Sequence, residues 1–361
     1  MRIRTLLIIP VAMVLAMTGL PAAASAAGPV AASCGAVLTT NAVLTADLSC
    51  TGDGITLTGD VSLDLRGHTL SGTGSDRTAV TVISGSSPKI SNGVIEKWNT
   101  GIAYDNPEGD PDLIGTTSVN SVRFRTNSVA ISASGGLSFS NAPGYVIKSS
   151  RFEENFNGIQ GVFTGSVKVS GSTFRKNQSA IGIDTGSLEV TGSRFDDNGV
   201  GVSCTEASCT VRGNYLTSNS TALASRTFGM TASHNLLSRN DIGFDAFVSL
   251  GNNLSYNAFV SNTTGVHLST GGGTISRNSF TGNQTGFASE GGQDPFTATL
   301  DNNIFTRNGS GIFIEDEGIS LRKNTARNNT GWGIYAPHSI DLGGNQASGN
   351  GNSPQCVGVV C

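Results

Sequence analysis

Laid on itself, the chain repeats a short alternation of apolar and polar positions and shows no run with a helical period. Each unit reads Asn or Ser, any residue, a large apolar residue, two polar residues, Asn, two residues, then Gly or Ala and an apolar residue. Asn278, Phe280, Asn283, Gly286 and Phe287 make one copy, and Asn257, Phe259, Asn262, Gly265 and Val266 another. The second Asn forms a ladder at 99, 127, 155, 177, 198, 219, 240, 262, 283, 308, 329 and 350. The apolar position keeps step with it through Phe124, Phe152, Phe174, Phe195, Leu216, Leu237, Phe259, Phe280, Phe305, Ala326 and Ala347.

Units of mostly 21 or 22 residues, with alternating apolar positions and small turns, predict three short strands per coil. The fold class follows as all-β: a single-stranded right-handed parallel β-helix, a solenoid of about a dozen coils. Stacked coils place each Phe over the next, and burying such a side chain contributes on the order of 1.5–3 kcal/mol before entropy is counted. The stacked Asn residues are expected to hydrogen-bond along the axis and to use their tolerance of left-handed backbone at the turn. The missing Leu-x-x-Leu-x-Leu signature excludes a leucine-rich repeat.

Composition adds the compartment. Arg2 and Arg4, the apolar run Leu6 to Leu20 and the small residues Ala22 to Ala27 read as a signal peptide over 1–27. The rest, 28–361, reads as one β-helix domain, secreted to the extracellular space and without a transmembrane segment. Its six cysteines fall into close couples at 34 and 50, 204 and 209, and 356 and 361. Export favours three local disulfides, with caps at 34–50 and 356–361. Losing Arg2 and Arg4 moves the formal charge from −4 to −6, which disfavours nucleic acid as a partner.

The cap from Cys34 to Cys50, the stretch Asp64-Leu65-Arg66-Gly67-His68, the Asn ladder and the tail from Gly349 to Cys361 together resemble the pectin-lyase-like superfamily. That resemblance covers nearly the whole mature chain. It implies the fold, and it implies a protein that meets carbohydrate as a lyase, hydrolase, epimerase or binder. Mannuronan epimerases of this type carry Asp-Pro-His-Asp, where this chain has Asp110-Pro111-Asp112 and Asp294-Pro295-Phe296. Polygalacturonases carry a paired Asp and Gly-His-Gly; Asp196-Asp197 is the paired Asp here, and no Gly-His-Gly exists. No catalytic residue of the family therefore carries over.

The candidate site comes from strand alternation instead. If the apolar residue after each Gly points inward, the next residue faces solvent, as does the one two further on. The first outward column runs through Ala103, Ser132, Gln160, Gly182, Ser203, Ala224, Asp245, His267, Ala288, Phe313 and Tyr335. The second carries Arg226, Phe247, Glu290 and Glu315. Asp245, His267, Glu290 and Glu315 are the candidate catalytic residues. Asp245 and His267 suit proton transfer, and the Glu290–Glu315 couple suits a glycosidase. Arg226, Phe247, Phe313 and Tyr335 are the candidate substrate-binding residues, supplying a cation for uronates and ring faces for pyranoses.

Two further constellations read differently. Arg125, Glu153, Arg175 and Asp196 alternate in sign down the stack and read as an ion ladder serving register. The acidic stretch with Asn106, Glu108, Asp110 and Asp112 offers hard oxygen ligands for calcium, although no EF-hand or nonapeptide repeat is present. No metal site or other cofactor is expected. The expected activity is that of a polysaccharide lyase or glycoside hydrolase on an extracellular polysaccharide laid along a monomeric rod. A non-catalytic, adhesin-like binder is the alternative. Metal handling like that of periplasmic copper-insertion β-helices is disfavoured by only four His and no Met-rich tract.

Overall fold

The structure, a computed structural model, describes residues 28–74, 76–106, 115–135, 143–289 and 297–361. The expected signal peptide, the acidic residues Glu108, Asp110 and Asp112, and Glu290 lie outside the described residues. All of the described regular structure is β, wound as a right-handed parallel solenoid of about 14 turns. At the spacing of hydrogen-bonded strands the rod is about 60–65 Å long.

A typical coil joins three strands. Thr221–Phe228 lies in the first sheet, Met230–Ser233 in the second and Leu236–Ser238 in the third. In the coils of Ser179–Thr191, Val200–Arg212 and Ile242–Ser255 the first two strands run on as one bent strand. Every ladder pairing is parallel and joins like positions of successive coils, such as Phe152 with Phe174 and Phe174 with Phe195. The third sheet therefore carries the predicted apolar column, fully buried from Phe124 to Phe305. Its rings stack at 4.9, 4.5 and 4.8 Å from Phe124 to Phe195, and at 4.7 and 4.4 Å from Phe259 to Phe305. Leu216 and Leu237 fill the interval. Below Phe124 the column continues through Ile95, Leu70 and Leu48. The lowest coils lack the Asn of the repeat, so counting Asn residues gives about a dozen coils and misses them.

The Asn ladder is real, with two corrections. Asn219 donates from Nδ2 to Oδ1 of Asn240 at 3.0 Å and to the Phe195 carbonyl at 3.3 Å. Its own Oδ1 accepts the backbone N–H of Asn198 at 3.0 Å and the Asn198 side chain at 2.9 Å. The pattern repeats from Asn127 to Asn350, where Gln355 takes the next place. Asn99 is not a rung. Phe124 pairs with Ile95, so the position matching Asn127 is Trp98, whose indole N–H donates to the Leu70 carbonyl at 3.1 Å. The left-handed residue is also not the Asn but its predecessor, as at Lys176 (φ 55), Asp197 (φ 58) and Arg239 (φ 55). That corner turns the carboxamide into the rod, where it can reach the coils on both sides. A parallel ladder at the other corner of the third sheet uses the first Asn of the repeat, as in Asn214 Nδ2 to Asn235 Oδ1 at 3.0 Å.

The glycine of the repeat is explained at Gly286. A Cβ there would stand 2.6 Å from the Gly311 carbonyl and 2.6 Å from the Phe305 ring. The ion ladder holds in register, since Glu96, Arg125, Glu153, Arg175 and Asp196 pair in one column. Its partners are partly different from those expected. Glu153 takes a hydrogen bond from Arg123 Nε at 2.7 Å, and Arg125 instead binds the buried Glu96, also at 2.7 Å.

All three local disulfides are present, and no described cysteine is free. Cys204 and Cys209 bridge along one strand. Both are buried within the strand Val200–Arg212 and pair with residues of the adjoining coils. The predicted cap 34–50 is itself coiled, with Val37–Leu38 paired to Thr56–Leu57.

Two outcomes test this packing. Phe195→Asp buries a carboxylate in the ring stack and is expected to abolish cooperative thermal unfolding. Arg194→Ala, at an exposed residue 3.8 Å from Asp196, leaves the melting temperature within a few degrees of the parent. Asn219→Asp keeps the acceptor and removes both side-chain donors, setting carboxylate oxygen against Asn240 Oδ1 and the Phe195 carbonyl. We expect a loss on the order of 3 kcal/mol in denaturant unfolding. An unchanged unfolding midpoint would mean that the ladder adds no stability.

Candidate functional site

The first sheet presents the predicted outward columns. Phe244, Val266, Phe287 and Ile312 point into the core and are fully buried, so the residue after each takes the outward side, half-buried at Asp245, His267 and Phe313 but buried at Ala288. Register follows the predicted column step by step: Ala224 pairs with Asp245, Asp245 with His267, His267 with Ala288, Ala288 with Phe313, and Phe313 with Tyr335.

Asp245 and His267 are in direct contact. Nδ1 of His267 lies 2.8 Å from Oδ1 of Asp245, and the two side chains are 23% and 22% exposed, shielded yet open to solvent. A carboxylate that accepts a hydrogen bond from Nδ1–H favours the tautomer whose lone pair is on Nε2. Arg226, one coil before Asp245, lays its guanidinium over the Phe247 ring with Cζ 5.6 Å from the centroid. Phe247 thus holds Arg226 in place as well as offering apolar surface.

At the C-terminal end of the column, Phe313 and Tyr335 stack at 5.1 Å with planes 15° apart. Trp332 adds a third ring, tilted by 41° and 5.1 Å from Tyr335. Strand alternation could not have found Trp332, which precedes the short strand Ile334–Tyr335. Glu315 is exposed just beyond the strand Ser310–Ile314. Its expected partner Glu290 lies outside the described residues.

Two other features escaped the sequence. Thr227 (φ 64) and Val248 (φ 50) directly follow Arg226 and Phe247, and both are β-branched residues held in left-handed backbone. Such a conformation is unfavourable for this side-chain type and marks the corner where the strand face ends. The N-terminal half of the face holds a shallow groove of about 410 Å³, lined by Gln160, Gly182, Asp184, Ser203 and Thr205 among others. It opens where Gly182 leaves the outward column without a side chain.

Fold and surface together define a right-handed parallel β-helix of the pectin-lyase-like kind, as the sequence resemblance implied. Residues 114–297 match the family model described as periplasmic copper-binding protein (NosD), and the chain belongs to that family. No curated protein matches it. Among solved structures, the periplasmic alginate epimerase AlgG is 15% identical, with 79% of this chain and 77% of that one covered at a TM-score of 0.51. The hyperthermoactive exopolygalacturonase from Thermotoga maritima is 12% identical, with 89% and 84% covered at a TM-score of 0.39. At that identity the likeness to the epimerase is one of fold.

Copper chemistry can be tested against the donors this chain has. All six cysteines are in disulfides, and the one methionine after residue 27, Met230, is fully buried. Its four histidines are at 68, 234, 267 and 338, and no group of three or more His, Cys, Asp or Glu among the described residues could hold a metal ion. A soft or imidazole-rich copper site needs several such donors converging, so these residues do not fit it. We expect cuprous or cupric ion, titrated into the chelator-treated protein, to leave the melting temperature unchanged. A saturable rise of several degrees at equimolar copper would overturn this.

Proposed function

We propose that this chain is an exported, carbohydrate-acting β-helix protein that processes a uronate-containing glycan at the Asp245–His267 dyad. One observation carries the reading: a carboxylate–imidazole pair at 2.8 Å on an open strand face, with a guanidinium held one coil away. The three local disulfides and the family's periplasmic description support export, in line with the leader expected over 1–27. Among the described residues no helix is long and apolar enough to cross a membrane.

The chemistry is β-elimination. The hydrogen on C5 of a uronate is α to the carboxylate, so removing it places negative charge on that group. Arg226 neutralises the charge, His267 takes the proton on Nε2, and Asp245 holds the imidazole and stabilises its protonated form. The C4–O bond then breaks, a C4=C5 double bond forms, and the leaving oxygen takes a proton from water. Reprotonation of C5 from the opposite face, by water on that side, would instead give an epimer. Trp332, Phe313 and Tyr335 also favour a second reading, in which the face binds glycan without turning it over.

Incubation with polygalacturonate and with alginate separates these accounts. A lyase produces unsaturated, ultraviolet-absorbing ends, and His267→Ala lowers that rate by about 10²–10⁴-fold while oligosaccharide binding stays within a few-fold of the parent. New reducing ends without unsaturation, lost in Glu290→Gln or Glu315→Gln, would replace the lyase with a hydrolase. Binding with no product from any variant would leave the non-catalytic reading.

A further inference from the structure

Away from the dyad, the rod has a shallow cleft of about 310 Å³ lined by Ser121, Val122, Arg123, Ser149 and Arg151. It lies at the corner between the second and third sheets, on two adjoining coils, with the buried Val122 among its lining. Ser121 (φ 57) and Ser149 (φ 49) turn that corner, and both are exposed.

Arg123 and Arg151 are paired residues of one outward column of the third sheet, between Val94 and Thr173. Like charges side by side in register repel one another. Glu153 accepts from Nε of Arg123 at 2.7 Å and from one terminal nitrogen of the same guanidinium, which fixes Arg123 and leaves its other terminal nitrogen to donate elsewhere. Among the described residues, neither Arg151 nor Lys148, exposed at the end of the strand Gly144–Lys148, makes a side-chain hydrogen bond or ion pair. Glu153 thus offsets one of the cations Arg123, Arg151 and Lys148, in a chain whose formal charge is −4.

We propose that this cleft is a second glycan site, which takes one uronate residue by its carboxylate. The carboxylate lies between the two guanidiniums and relieves their repulsion, accepting from the open fork of Arg151 and the remaining nitrogen of Arg123. Ser121 and Ser149 offer hydroxyls to the sugar. The volume is at the small end of ligand sites and suits one sugar residue, not a length of chain. Five ladder steps separate this coil from Asp245, about 24 Å along the rod, and the cleft lies on another sheet. It therefore holds no residue on which the dyad acts. It is an anchor, keeping a long acidic polymer on the rod while the first sheet works along it. That the anion belongs to a sugar rests on the carbohydrate-acting reading above, whereas the oxyanion chemistry rests on the arginines.

Calorimetric titration with trigalacturonate tests the anchor. It is run on Arg226→Ala, which removes the cation of the first-sheet face, and on Arg226→Ala combined in turn with Arg151→Glu, Arg151→Lys and Arg194→Ala. Neutral galactotriose and inorganic sulfate are the comparison probes, and every variant is melted beside the parent. We expect Arg226→Ala to keep one uronate site per chain. Arg151→Glu weakens that site by about tenfold or more, and Arg151→Lys, which keeps the charge without the fork, weakens it less. Arg194→Ala, further along the same column, leaves it unchanged. Arg151 and Arg194 are exposed, so all melts stay within a few degrees of the parent.

An Arg226→Ala protein that binds no trigalacturonate, or binds it equally well with Arg151→Glu, would overturn the anchor. Galactotriose bound as tightly as the uronate would overturn it too, as would sulfate bound through Arg151 by a protein that takes no uronate. Failure of the dyad reads out separately. A parent that forms no product from polygalacturonate, yet binds trigalacturonate through Arg151, loses the catalysis and keeps the anchor.

Discussion

The structure depends on a carboxamide that makes bonds in both directions along an axis. Each ladder Asn uses its oxygen to hold the preceding coil and its NH₂ to hold the following one and a backbone carbonyl. A corner turned inward leaves backbone groups without their ladder partners, and burial would make those groups costly. The carboxamide supplies the missing bonds from within the rod. Because it must meet its equivalent one coil away, it also fixes the register of the strands on either side. The Phe stack, the inward apolar positions of the first sheet and the outward columns all inherit that register.

Much of this was legible because it is periodic. Phe and Asn recur at fixed offsets, and a period survives in the sequence whatever the surroundings. The outward columns were legible for the same reason, and Asp245 and His267 meet as alternation required. What was not legible is what breaks the period. Trp98 stands in the place of an Asn, and the neighbouring Asn99 invited the wrong alignment. Left-handed backbone was assigned to the residue best known to tolerate it, whereas a strand corner needs it one position earlier. The partner exchange that gives Glu153 to Arg123 depends on side-chain reach across two columns, which spacing alone does not encode.

The site shows the same division. Strand alternation found the dyad and both members of the Phe313–Tyr335 stack. It had no means of finding Trp332, which sits before its strand, or the strained corner of Thr227 and Val248, whose conformation is set by the bend between two sheets. The family match adds a useful contrast. This chain shares the solenoid of a family described as copper-binding, but among its described residues sulfur is committed to disulfides or buried as Met230, and one of its imidazoles to a carboxylate. Scaffold and donor set vary separately, because the ladders need only the inner and corner positions and leave the outward ones unconstrained.

Uniform coil spacing has a consequence for how such a surface can change over time. Neighbouring outward residues on this sheet are 21 to 29 positions apart in sequence yet adjacent in space. Point substitution alters the chemistry at one rung, whereas duplicating or deleting a whole repeat slides everything beyond it by one strand spacing and disturbs no contact inside the surviving coils. Groups on the face can therefore be regrouped in discrete steps by recombination between repeats, at little risk to folding. A lineage built this way can try new arrangements of walls and gaps by shuffling units that already stack.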